Sequence, residues 1–410
     1  MNPLRLIVGL TALLAVAEPA SARQTSPQPA CCTATIRVTV PEGTGTLYLT
    51  GSLPELGPWR PDARAMTGAG RERVARVAAA PGTTFEYKLT LGSWDREAVD
   101  SAGNAPPNYK LRIDGAVEAR HDVPGFKKGQ REYLADWKGS GVLGRLVYWT
   151  DVKSAFLGPT RHVEIWLPPG YDSATTVRYP VLYVHDGQNL FDPRLAFTGV
   201  DWGIDEAIVR LSQRGTIPPV IVVGAWNSSE RGTEYSPWHR ATAYARFLLE
   251  ELMPRVNREF RTLTGRENTA VMGSSMGGLL SFYLVTHHSD AFGACACMST
   301  HFPLSQAVMA RSSQGAAAVA NPDTIPYVVR DIAAGLKPPR GARYWFDYGS
   351  EGLDAAYGPS HQAVRAWLLG QGRVEGRDFV VRRYERATHN EASWRARLDD
   401  PLTFLFGKRR

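Results

Sequence analysis

At 410 residues, with 43% apolar and 21% charged residues, the chain is long enough for two globular domains and too apolar for a disordered one. Its formal net charge is +7, yet the basic residues are mostly arginines scattered along the chain, clustered only at Lys127-Lys128 and Lys408-Arg409-Arg410. That distribution argues against a nucleic-acid partner, which needs a concentrated basic patch, and leaves mild attraction to acidic surfaces or substrates.

Residues 1–22 read as a secretory signal, with Arg5 as the positive flank, residues 6–17 as the apolar core and Ala20-Ser21-Ala22 as a small-residue cleavage site. The apolar run is short for a membrane span, and no later segment has a long uncharged run. A secreted or periplasmic protein without stable membrane insertion is expected. Residues 23–32 form a polar linker. An oxidising compartment permits disulfides, and the adjacent Cys31 and Cys32 could each seek a different partner. Cys295 and Cys297 alternate within an apolar strand, which marks them as small core residues rather than a metal pair. No zinc-type spacing and no carboxylate cluster is present, so neither metal nor cofactor is expected.

Residues 33–125 carry short β-like runs at 33–40, 46–50, 74–77, 83–89 and 109–113, separated by turn residues. No helix is needed, and a small all-β sandwich is expected. Residues 126–143 are a basic, polar connector. Residues 144–410 then alternate. A strand pair at 144–149 and 162–167 precedes strands at 179–185, 220–225, 269–272, 294–298, 343–348 and 378–384, with helices at 202–211, 241–259 and 357–369. Such alternation predicts a doubly wound, mainly parallel sheet, whose ligands sit at the carboxyl ends of the strands.

Between an apolar strand and a helix-like run stands Gly273-Ser274-Ser275-Met276-Gly277, a G-x-S-x-G pattern. It predicts a nucleophile elbow with Ser275 on a strained turn and helix amides aimed at a developing oxyanion. A serine nucleophile needs a base, and the base needs an acid, in the chain order Ser, Asp/Glu, His. His361 falls inside a helix, whereas His389 follows the last strand and is assigned as the base. The loop after the strand at 343–348 supplies the acid; Asp354 is favoured over Glu351, and Asp347 lies at the strand end. The oxyanion hole is assigned to the amides of Met276 and Gln188, the latter from the loop His185-Asp186-Gly187-Gln188-Asn189.

Two resemblances follow from these motifs. Gly51-Ser52-Leu53-Pro54-Glu55-Leu56-Gly57-Pro58-Trp59, with Phe85-Glu86-Tyr87-Lys88, Trp94 and Asn108, resembles a family 20 starch-binding module. The resemblance implies α-glucan binding, with Trp59 and Trp94 stacking on sugar faces and Lys88 and Asn108 bonding hydroxyls. Tyr183-Val184-His185-Asp186-Gly187-Gln188-Asn189, the elbow, and His389-Asn390-Glu391-Ala392-Ser393-Trp394-Arg395 together resemble the putative-esterase family of α/β-hydrolases, which includes feruloyl, acetyl-xylan and enterochelin-type esterases. That resemblance agrees with Ser275, His389, Met276 and Gln188. It places Trp226, Asn227, Arg231, Glu234-Tyr235 and His301 along an acyl or sugar pocket, Arg231 being equally an ion-pair partner for Glu234. The expected function is a serine carboxylic-ester hydrolase acting on an acylated sugar or glycan. A siderophore trilactone esterase, a non-catalytic glycan-binding protein and an acyltransferase are the alternatives.

Overall fold

The computed structural model describes residues 32–57, 59–101, 103, 105–127, 141–305 and 325–408. The signal-like segment, Cys31 and most of the connector lie outside them. The front segment consists of β1 (Cys32–Thr39), β2 (Tyr48–Gly51), β3 (Arg64–Ala65), β4 (Glu72–Ala79), β5 (Thr83–Thr90), β6 (Ala98–Val99), β7 (Tyr109–Ile113), β8 (Val117–Asp122) and β9 (Gly125–Phe126). They form a three-stranded sheet in the order β4-β1-β8, a four-stranded sheet β3-β2-β5-β7, and a small pair β6-β9. In β1 the alternating pattern Ala34, Ile36, Val38 points inward with period two. These residues meet Leu49, Phe85, Tyr87 and Leu89 of the four-stranded sheet in a core of their own. The strand β8 was not expected from sequence. Its run Val-Glu-Ala-Arg-His-Asp is polar at four of six positions, as suits the edge of a sheet, where it pairs parallel with β1.

The rest of the chain builds an eight-stranded sheet from β10 (Arg145–Val152), β11 (Arg161–Leu167), β12 (Val181–His185), β13 (Ile221–Ala225), β14 (Thr269–Ser274), β15 (Ala294–Met298), β16 (Arg343–Gly349) and β17 (Phe379–Tyr384). The order is β10-β11-β13-β12-β14-β15-β16-β17. Strands β13 to β17 pair parallel, with β10 and β11 as an antiparallel extension at one edge. The apolar runs of β12, β13 and β15 are buried on both faces, which is what a parallel sheet covered by helices demands. Alternate residues enter different cores. Val181, Tyr183, Val271, Cys295, Cys297, Tyr344 and Phe346 face one layer; Leu182, Val184, Met272, Ala296, Met298 and Trp345 face the other. The Cys295 and Cys297 sulfurs thus sit on one face, 3.2 Å apart in apolar surroundings, and burial raises the Cys297 thiol well above its usual pKa. Among the described residues no group of three or more His, Cys, Asp or Glu side chains could hold a metal ion, and no helix is long and apolar enough to cross a membrane.

Candidate active site

The elbow is built by sterics. Ser275 has φ 56° and ψ −119°, a sparsely populated conformation for a residue with a side chain. It is held from both sides: its N–H donates to Met298 O of β15 (2.9 Å), and its carbonyl accepts from His301 N and Leu279 N, each at 3.1 Å. A Cβ on Gly273 would lie 2.6 Å from the backbone of Gly277, so strand and helix can cross here only without one. The half-buried Ser275 therefore caps the helix Met276–His287, and Met276, its first residue, has no carbonyl within the helix for its amide.

The His389 imidazole is presented on the loop after β17 and bonds Asp354 Oδ1 through Nδ1 at 2.6 Å. Burial alone would raise the Asp354 carboxyl. The bonds from His389, from the Ser299 hydroxyl and from the Gly349 amide outweigh it and hold the pKa below the ordinary value. An ionised carboxylate can only accept, so Nδ1 carries the imidazole proton and Nε2 keeps its lone pair for a serine hydroxyl. Three acids share the loop region, and the geometry separates them. Asp354 reaches His389, Glu351 is exposed, and Asp347 is buried against Arg397 Nη2 (2.7 Å) and Trp345 Nε1 (2.8 Å).

A support for the acid escaped the sequence. The Ser299 hydroxyl donates to Asp354 Oδ2 (2.5 Å) and accepts from Trp394 Nε1 (2.9 Å) and Arg397 Nη2 (2.8 Å), so all its hydrogen-bonding capacity is used. Trp394 was visible only as part of the terminal motif. Asn390 caps the short helix Glu391–Ala396 by accepting from Ser393 N, which turns Trp394 back to within 5.2 Å of the His389 ring, edge to face. Tyr357 closes the other side, 5.7 Å from His389. Its hydroxyl bonds His301 Nδ1 at 2.6 Å. Burial, with the charges of His389 and Arg231, pushes His301 down to about 4, so it is neutral at pH 7. The His301 backbone N–H reaches the Ser275 carbonyl directly, and its ring is held by Tyr357, a residue no motif singled out.

The oxyanion loop is held by charge. Asp186 has φ 60° and starts the turn Gly187–Asn189 that carries Gln188. Its carboxylate is gripped by Arg231 Nε (2.6 Å) and Nη2 (2.7 Å) and by Asn227 Nδ2 (2.7 Å). Burial would raise this carboxyl, and Arg231 overrides it, leaving Asp186 ionised. The expectation that Arg231 pairs with Glu234 is corrected: Glu234 is taken by Arg161 in a fully buried two-bond fork, because Arg161 on β11 enters the core beside it. Asn227 likewise steadies the loop, its own amide donating to Gln188 Oε1 at 3.3 Å. Trp226 is 2% exposed and stands edge-on to His162.

The four residues expected to hold sugar in the front segment have separate surroundings. Lys88 is 7% exposed, and its ammonium is spent on Glu97 and the Pro106 carbonyl, both at 2.5 Å, so it is a buried structural cation rather than a presented donor. Asn108 donates to Glu86 at 3.0 Å on the surface. Trp59 is half-buried at φ 60°, and Trp94 packs edge-on against Phe197 of the larger unit.

Residues 154–405 match the family described as Putative esterase. Of the curated relatives, the uncharacterized protein YbbA of Bacillus subtilis is 23% identical over 152 residues, 34% of this chain and 56% of that protein. An endo-1,4-beta-xylanase/feruloyl esterase of Xylanibacter ruminicola is 25% identical over 217 residues, 48% of this chain. The chain thus spans about half the length of the first and 29% of the second. Among solved structures, the enterobactin esterase of Shigella flexneri has a TM-score of 0.51 at 14% identity, over 90% of this chain and 92% of that one, a likeness of fold.

Proposed function

The chain belongs to the putative esterase family, and on that premise we propose that it is a serine carboxylic-ester hydrolase acting on an acylated sugar or glycan. The observation that carries this reading is the His389–Asp354 pair, set on consecutive strand-end loops beside the strained Ser275. Ser275 Oγ attacks the ester carbonyl carbon and gives its proton to His389 Nε2. The carbonyl oxygen becomes an oxyanion that accepts from the amides of Gln188 and Met276. Collapse breaks the bond to the alcohol oxygen, which takes the proton from His389, and water then releases the acyl group by the same steps in reverse.

Support for a sugar ester comes from the resemblance of the front segment to a starch-binding module and from the Xylanibacter ruminicola relative described as a feruloyl esterase. We take residues 33–125 as a β module, 126–143 as a connector and 144–410 as the hydrolase domain. The apolar run at 6–17 followed by Ala20-Ser21-Ala22 supports export. The test is turnover of p-nitrophenyl acetate. Ser275→Ala is expected to lower kcat by about 10⁴-fold, and wild-type rates in that variant would overturn the assignment. A panel of acetylated and feruloylated oligosaccharides beside a catechol trilactone then assigns the substrate class.

A further inference from the structure

A cleft of about 570 Å³ runs along the seam between the front segment and the eight-stranded sheet, a size typical of small-molecule sites. Trp94 and Lys127 contribute its outer wall, and Phe197, Gln188, Trp226 and Asn227 its inner wall. Two features tie it to the chemistry. Gln188 lines the cleft and is also the turn residue proposed for the oxyanion hole. Phe197 belongs to the loop that leaves the same turn, and its amide donates to Asn189 Oδ1 at 2.8 Å. From the other side Lys127 Nζ donates to Phe197 O (3.1 Å), and the Trp94 ring meets the Phe197 ring edge-on at 6.3 Å.

Most charges around the cleft are paired. Arg60 pairs with Asp62, Lys127 with Glu97, Arg194 with Asp192 and Glu230 with Arg240. An occupant must therefore lie beside ion-paired donors and acceptors, and it must also offer an apolar face to the rings of Trp94 and Phe197. A neutral sugar ring meets both conditions, because its hydroxyls donate and accept while its C–H face lies on an aromatic ring. We propose that this seam is the subsite for a neutral sugar ring attached to the scissile ester, with Trp94 as its stacking platform. The front segment is then a wall of the catalytic cleft as well as a module. The proposal rests on the sugar-ester reading above and makes Trp94 a determinant of specificity.

The experiment compares wild type, Trp94→Ala and Trp94→Phe on p-nitrophenyl acetate and on acetylated and feruloylated xylo-oligosaccharides. Trp94→Ala is expected to raise KM for the oligosaccharide esters about 3- to 10-fold with kcat retained, the effect of one lost stacking contact. Trp94→Phe should recover most of that loss, and p-nitrophenyl acetate, which lacks a sugar, should be turned over at the wild-type rate by all three. An unchanged oligosaccharide KM in Trp94→Ala overturns the subsite and leaves the sugar-ester reading intact. An equal loss on both substrates also overturns it, since the residue then acts on the fold. A wild-type enzyme that cleaves p-nitrophenyl acetate but none of the oligosaccharide esters overturns the sugar-ester reading, and the subsite with it.

Discussion

Ser299 shows how much of this site depends on side chains that never touch substrate. Its hydroxyl joins Trp394 and the Arg397–Asp347 pair to the Asp354 carboxylate. Ser299→Ala removes one bond that holds Asp354 ionised and leaves two buried donors short of a partner. A stability loss of about 1–3 kcal/mol is expected in denaturant titrations. The sign of the activity change follows from the carboxylate. With one stabilising bond gone, the Asp354 pKa rises, so the acid limb of the pH–rate profile moves to higher pH. A limb that stays in place while stability falls would make Ser299 a packing residue only.

At the scale of elements, the oxyanion turn is the part most exposed to small changes. A Cβ on Gly187 would lie 2.6 Å from the backbone carbon of Gly224 and 2.9 Å from Trp226 Cδ1, so Gly187→Ala must push the turn away from β13. Since Gln188 follows directly, the expected result is a fall in kcat of about 10²-fold, the usual effect of losing one oxyanion donor, with the far-ultraviolet circular dichroism unchanged. Full activity in that variant would remove Gln188 from the hole. The strands of the large sheet were legible because β12, β13 and β15 are apolar throughout, and the elbow because its glycines bracket a serine between strand and helix. The edge strand β8 was not, since four of its six residues are polar and no run of apolar residues marks it. The short helices Tyr327–Ala333 and Asp399–Phe406 also went unread. Asp347, Glu351 and Asp354 fall within eight positions, so spacing alone left the acid open. Arg231, Tyr357 and Ser299 take their roles from residues 45, 56 and 55 positions away, a separation that no local pattern encodes.

For the whole molecule, buried histidines set the response to acid. His361 packs among the rings of Phe302, Tyr348 and Tyr357, donates from Nδ1 to the Tyr357 carbonyl, and is pushed by burial to about 4. His301 is likewise pushed to about 4 and His185 to about 3. Unfolded histidines take up protons near pH 6.5, so the stability tied to these groups is complete above that value and is lost as the pH falls towards 4. Asp205, raised by burial to about 8 beside Glu206, acts in the opposite sense, its contribution fading as the pH rises. A single variant isolates the histidine part. His361→Leu should lose less melting temperature than wild type between pH 7 and pH 4.5, and identical losses would show that His361 does not carry this dependence. The loop that leaves the oxyanion turn has a consequence of another kind. Asn189 holds it at one end, Phe197 meets the front segment, and Thr198 donates to Glu391 Oε2, two positions after His389. A module joined only through a tether can be exchanged between enzymes like a cassette. Here the seam, the turn and the histidine loop share one stretch of chain, so recombination that swaps the front segment would have to carry the Phe197 loop with it, and the two would be inherited as a unit.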